Sequence, residues 1–261
     1  KSDTSPALDI RRARLGAKIA LAKNIKGEIV LDIAEDGAEL DTASMAYRFP
    51  NGTSLVFGKT KVGFSLEEMT SSRWIDFIER SLANTYGGVG KTPQVAFNGK
   101  IGDIGGFNLA YAAFDTKDEA EGKQLGLRAT LNLGTKNESV YHLGVGLTQG
   151  DRVEGEVDRT YAGRGQKFFK ASANIDTASG EYEHARQGLE LAIVLGSFKA
   201  QYESIKTSYN GIESTTNAGV FDKDITTSYL NLMYMVTGEK YAKSYKTSSG
   251  KFDKIKPING D

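Results

Sequence analysis

The chain has 261 residues, 33 Lys and Arg against 33 Asp and Glu, no formal net charge and no cysteine. Absence of Cys excludes disulfide staples and Cys-based metal or redox sites, and the even charge balance argues against nucleic-acid binding as the main task. The longest clean apolar run is Leu191 to Leu195, far short of the roughly 18 apolar residues of a membrane helix. This excludes a helical membrane protein but not a β-barrel, whose strands show only alternating hydrophobicity.

Taken in chain order, the dominant signal is period two, which predicts strands. The first is 8–21, where Leu15, Ala17, Ile19 and Leu21 oppose Arg14, Gly16 and Lys18. Segments 26–35, 40–48 and 52–62 follow. The alternation then breaks over 65–82, SLEEMTSSRWIDFIERSL, which predicts an irregular loop with a short helix starting at Ser71 or Ser72 as N-cap. Strands resume at 93–101, 105–114 and 123–134, the last with Leu125, Leu127, Ala129, Leu131 and Leu133 against Gly126, Arg128, Thr130 and Asn132. In 139–149, Tyr141, Leu143, Val145 and Leu147 oppose His142, Gly144 and Gly146. The series ends with 187–196, 198–209 and 225–237, making eleven segments. Most are near the roughly 9–11 residues that cross a bilayer when tilted.

Short connections (Lys23 to Gly27, Phe49 to Gly52, Gly134 to Glu138) alternate with long ones at 150–186 and 210–224. Short periplasmic turns and long external loops have this rhythm. Periodicity alone does not separate a soluble barrel, which buries its apolar face, from a porin, which turns that face to lipid and its polar face to a water-filled lumen. Two features favour the membrane barrel. Tyr47, Phe49, Phe64, Tyr111, Phe114, Tyr141 and Tyr234 sit near strand ends, as girdles do, and Gly and Ala are frequent at inward positions.

Other chemistry is weakly supported. Gly87 to Thr92 departs from a phosphate-binding loop because Thr85 stands where Gly is needed and Pro93 follows. His142 and His184, the only histidines, are 42 positions apart and support neither a metal site nor a Ser-His triad. Adjacent Glu67 and Glu68 read as structural or selectivity charges rather than a catalytic pair, which needs a fixed separation across a cleft. The Asn51 and Asn137 sequons read as hairpin turns. No catalytic residue, metal or cofactor is expected.

Three motifs carry a family resemblance: IRRARL at 10–15, GFSLEEMTSSRWIDFIERSL at 63–82 and VTGEKYAKSYKTSSGKFDKIKP at 236–257, with HLGVGL at 142–147 between them. In this order and spacing the chain resembles the phosphate-selective (O and P type) porins of the bacterial outer membrane. The resemblance spans about Leu8 to Asn259 and is strongest in 8–82 and 225–259. It implies an all-β fold, a transmembrane antiparallel β-barrel of porin type with roughly sixteen strands, of which about eleven are present, and an inward-folded constriction loop at 65–84. It further implies a homotrimer in outer-membrane lipid, not an enzyme, that passes small anions such as phosphate or polyphosphate.

Carried over by position, the resemblance places Arg11, Arg12, Arg14 and Arg80 in a ladder of arginines lining the pore. Arg159 and Arg164 correspond more loosely, and Lys246 and Lys256 match basic positions of the third motif. Glu67, Glu68, Arg73 and Trp74 fall in the constriction loop, with Trp74 expected as an anchor against the wall and Arg80 either in the ladder or pairing with Glu79. Phosphate-selective members carry a lysine where this chain has Glu68. With Asp76 and Glu79, the loop holds four acids against Arg73 and Arg80, and a negative constriction repels oxyanions. A general or weakly cation-selective porin is therefore the alternative, and a β-barrel enzyme or structural anchor the alternatives of another class. Single-chain bacterial barrels have even strand numbers and open edges in lipid leave backbone groups unsatisfied, so residues 1–261 are expected to form part of a single barrel domain.

Overall fold

The computed structural model describes residues 10, 13–35, 37–113, 121–160, 172–213 and 219–258. Eleven strands form one antiparallel sheet in sequence order: β1 (Arg14–Ala22), β2 (Ile25–Glu35), β3 (Gly37–Arg48), β4 (Ser54–Lys61), β5 (Lys91–Ile101), β6 (Gly105–Ala113), β7 (Glu121–Asn132), β8 (Ser139–Thr160), β9 (Ser172–Leu195), β10 (Phe198–Glu213) and β11 (Val220–Tyr234). Each strand pairs with its chain neighbour, while β1 and β11 do not pair with each other. All eleven expected segments appear, and among the described residues no helix is long and apolar enough to cross a membrane.

The polarity of the sheet is inverted relative to a soluble barrel. On β7 and β8, Leu125, Leu127, Tyr141, Leu143, Val145 and Leu147 are exposed on the outer face, whereas Gln124, Arg128, Thr130, His142 and Thr148 are buried. Burying polar groups costs free energy unless each finds a partner, so this arrangement suits a molecule whose outer face meets apolar surroundings and whose inner face is hydrated or hydrogen-bonded. At the rim of short turns, Tyr47, Phe49, Phe97 and Phe107 form a chain of edge-on and tilted rings with centroids 4.8, 6.4 and 5.8 Å apart. Phe64 departs from the expected girdle: it is fully buried inside the sheet.

Two segments fold into the interior. Residues 62–90 join β4 to β5 and contain α1 (Leu66–Met69) and α2 (Leu82–Gly87). Their N-caps are Ser65 and Ser81, whose hydroxyls accept from the backbone N–H of Glu68 and Asn84. This corrects the expected helix start at Ser71 or Ser72. The second segment follows β11 and contains 3-10 turns at Tyr241–Ser244 and Thr247–Ser249, with β12 (Tyr245–Lys246) and β13 (Lys251–Phe252) pairing between them. Alternation of an antiparallel meander places 62–90 at the rim of long connections and the end of β11 at the rim of short turns. The second segment is tied to that lower rim by Met235 N–H to the Ser197 carbonyl at 2.9 Å and Tyr241 N–H to the Gly196 carbonyl at 3.2 Å.

The two segments share a buried cluster with the wall: Leu66, Val140, Ala192, Val194, Tyr241, Ala242, Tyr245 and Phe252. A buried large apolar side chain contributes roughly 1.5–3 kcal/mol, enough together to hold both inside. Room for them comes from glycine. One inward row across the sheet runs Arg128, Gly146, Gly188, Ile205, and a Cβ on Gly146 would come within 2.2 Å of the Phe64 carbonyl.

The stretch 150–186, expected as a long loop, is largely not one. Residues 150–160 and 172–186 continue the β8–β9 ladder, with pairs from Gly150↔His184 to Thr160↔Ser172. The hairpin outgrows the expected span because its alternation is masked by charge, as in DRVEGEVDRT.

Candidate functional site

A cavity of about 820 Å³ lies between the inner face of β1–β6 and the 62–90 segment. Six basic residues line it, Arg14, Lys18, Lys61, Arg73, Lys91 and Lys251, against two acidic ones, Glu28 and Asp41. Hydroxyls and amides complete the lining: Thr42, Thr60, Ser71, Ser72, Asn98 and Asn108. Such a set offers N–H and O–H donors in excess over acceptors, the chemistry that an oxyanion needs.

Strand geometry accounts for the placement. Arg14 and Lys18 are an even number of residues apart on β1 and share its inner face with Gly16. Arg14 bonds Asp32 at 2.8 Å and Asp41 at 2.8 Å. Lys91, at the start of β5, pairs with Asp41 and donates to Thr42 Oγ1 at 2.9 Å. Asp41 thus accepts from two cations lining the cavity. Lys61, at the end of β4, donates to the carbonyls of Glu68 and of Thr70, the latter at 3.1 Å. Lys251 comes from β13 and is held below the usual lysine range by burial.

The acids of the 62–90 segment do not point into this cavity. Glu68 is 8% exposed and accepts from the backbone N–H of Val89 at 2.8 Å and Gly90 at 2.9 Å. Glu67 is 5% exposed and accepts from Ser81 N–H and its hydroxyl, at 3.1 and 2.7 Å. Burial raises the Glu67 carboxyl above the ordinary range, opposed by those bonds. Asp76 forms an ion pair with Lys199 of β10. Three of the loop's four acids are therefore held by hydrogen bonds or an ion pair within the protein and are not part of the cavity lining.

Arg80 donates to the carbonyls of Glu67, Glu68 and Thr70, at 3.3, 3.5 and 2.9 Å, so it braces the end of α1 and is not part of the cavity lining. Arg73 lines the cavity and lies 6.0 Å from the ring centroid of Trp74. Trp74 is exposed, and wall anchoring falls instead to Val62, Phe64 and Leu66. Lys246 and Lys256 are exposed on the second inward segment and outside the cavity lining. Arg11, Arg12 and Arg164 lie outside the described residues, as does the side chain of Arg159, whose backbone belongs to β8.

Sequence reasoning missed the most buried charges. Arg128 forms a fork with Glu190, Nε to Oε1 at 2.7 Å and Nη2 to Oε2 at 2.6 Å. Glu190 also faces His142 Nε2 at 3.0 Å, and His142 Nδ1 is 2.5 Å from the Tyr245 hydroxyl. Glu203 sits opposite Glu190 across the β9–β10 ladder. Like charges so placed repel, but Glu203 is answered by Ser65 Oγ at 2.7 Å and by the N–H groups of Leu66 and Glu67 at 2.9 and 2.8 Å. Lys199 Nζ lies 4.2 Å from the Phe252 ring centroid and 5.2 Å from that of Tyr241. These residues follow period two on the inner faces of their strands; that signal alone would have found them.

The sequence pattern of the family described as "Phosphate-selective porin O and P" matches residues 1–260. The chain belongs to this family. Porin O of Pseudomonas aeruginosa is 27% identical over 288 residues, covering 98% of this chain and 64% of that relative. The chain thus spans just under two thirds of that relative's length. Membership places this porin chain in the bacterial outer membrane, in keeping with its exposed apolar outer face.

Proposed function

We propose that this chain builds the wall and the narrow zone of a porin that passes small anions, phosphate-class oxyanions among them, by passive diffusion. The observation that carries the reading is the cavity lining, with six cations against two carboxylates and several hydroxyl and amide donors. A narrow, low-dielectric passage lined by one sign of charge concentrates the opposite ion. Arg14, Arg73, Lys61, Lys91 and Lys251 are the contacts offered to the anion, while Glu67 and Glu68 hold the constriction loop in shape. Arg11 and Arg12 stay ladder candidates by the family resemblance alone, and Lys246 and Lys256 add positive charge on the second inward segment.

The outer face of Leu, Val, Ile and aromatic side chains suits acyl chains. The family resemblance supports a barrel of about sixteen strands in a homotrimer. The family name describes channels, and no enzymatic step is proposed. The test is block of chloride current by inorganic phosphate in planar bilayers of the full-length protein. Half-block at millimolar or lower phosphate is expected; chloride current indifferent to phosphate contradicts the oxyanion reading.

A further inference from the structure

Among the described residues, Lys251 is the one cavity cation supplied from the short-turn rim, and a wall arginine holds its neighbours. After forking onto Glu190, Arg128 has donors left. Nη1 donates to the Ser249 carbonyl at 2.9 Å and Nη2 to the Gly250 carbonyl at 2.6 Å. Lys251 is the next residue. Gly250 is left-handed, with φ 51°, and a Cβ there would meet Thr130 Oγ1 at 2.4 Å, so the chain is pressed onto β7 at this point. A second hold acts across the small ladder: Tyr245 pairs with Phe252, Lys246 pairs with Lys251, and Tyr245 is fixed by His142, itself fixed by Glu190.

We propose that Arg128 is a positioning residue for anion passage: it meets no permeating ion, and it sets Lys251 into the basic cavity by gripping the two carbonyls before it. The proposal rests on reading the cavity as the anion path. Only a guanidinium can fork onto a carboxylate and still present N–H groups to two carbonyls, because its donors are fixed in one plane. A buried ion pair repays its desolvation only when its remaining donors are satisfied. The inner segment completes Arg128, and Arg128 completes the segment. With Glu190 against it and at 4% exposure, Arg128 contributes no free charge to the lumen. Its effect on permeation passes through Lys251.

The test uses the full-length protein in planar bilayers, with folded barrels verified by heat-modifiable migration on gels. K251Q is expected to raise the phosphate concentration for half-block by about three- to tenfold. R128Q should give a shift of the same size, and R128Q with K251Q no more than either alone, since both remove one contribution. R128K retains the charge but loses the fork, and should behave as R128Q. The chain has no Cys, so K251C offers a single labelling position. Aminoethylation by a methanethiosulfonate restores block in K251C, and in the R128Q background fails to do so and proceeds at an altered rate. Wild-type block in R128K, or multiplying effects of R128Q and K251Q, overturns the proposal. Should wild-type protein show no phosphate block, the anion reading fails; the labelling rate at K251C with and without R128Q then decides the positioning role, an unchanged rate overturning it.

Discussion

The β1–β5 wall and the β7–β10 wall both carry charged side chains on their inner faces, but they spend them differently. On β7–β10, Arg128, Glu190, Lys199 and Glu203 are all but fully buried and matched by counter-charges or backbone groups of the two inward segments. Around β1–β5, Arg14, Lys18, Lys61 and Lys91 border the cavity, and Asp41 and Glu28 are the acids beside them. One wall buries its charges against the constricting segments, and the other keeps partly exposed cations at the edge of the passage. Position on a strand does not decide the role; the depth of burial does.

The largest expected effect comes from breaking the holding wall. E203L preserves volume but strips the acceptor from Ser65 Oγ and from two backbone N–H groups. Each buried donor left unpaired costs about 1–3 kcal/mol. The 62–90 segment should detach, seen as cleavage by added protease within 71–81 and a larger single-channel conductance. Next is a change in the cavity. D41N removes the carboxylate shared by Arg14 and Lys91, leaving Arg14 with Asp32 and turning Lys91 toward a passing anion. Phosphate block should tighten by about tenfold, while stability to denaturant changes little.

Smaller still is E68Q. Its carboxylate caps Val89 and Gly90 N–H groups away from the cavity, so reversal potentials should match wild type. A shift toward anions in E68Q would return the acid to the passage and blur the contrast between the walls.

Outside the β8–β9 extension the sheet was readable because period two survives, even with polar faces as varied as Gly126–Arg128–Thr130 and Lys199–Gln201–Glu203. The roles of charges were not readable, because their partners are remote in sequence. Glu68 meets Val89, 21 positions on; Glu203 meets Leu66, 137 positions back. Counting charges in 65–82 therefore predicted a repulsive loop, whereas Glu67 and Glu68 are held by hydrogen bonds and Asp76 by an ion pair, all outside the cavity lining. Ser71 was a plausible cap by residue type, but the caps used are Ser65 and Ser81, where wall contacts place the helix starts. The inward fold of 236–257 had no periodic signature either; it is fixed by Tyr241, Tyr245 and Phe252 reaching a cluster built from distant strands.

The gentlest probe is pH. Burial holds Lys251 below the ordinary lysine range, opposed by Asp253 and joined by Arg128 and Lys18. Its charge is therefore lost, on raising pH, before those of exposed lysines. Chloride preference should fall more in that window in wild type than in K251R.

The central claim is that the cavity lining favours anions. Its most direct measurement is the zero-current potential of full-length protein across a tenfold potassium chloride gradient. The account predicts a potential of the sign for chloride preference, reduced by K91Q or R73Q and unchanged by E68Q. A potential of the opposite sign, moved toward anions by E68Q, would contradict it.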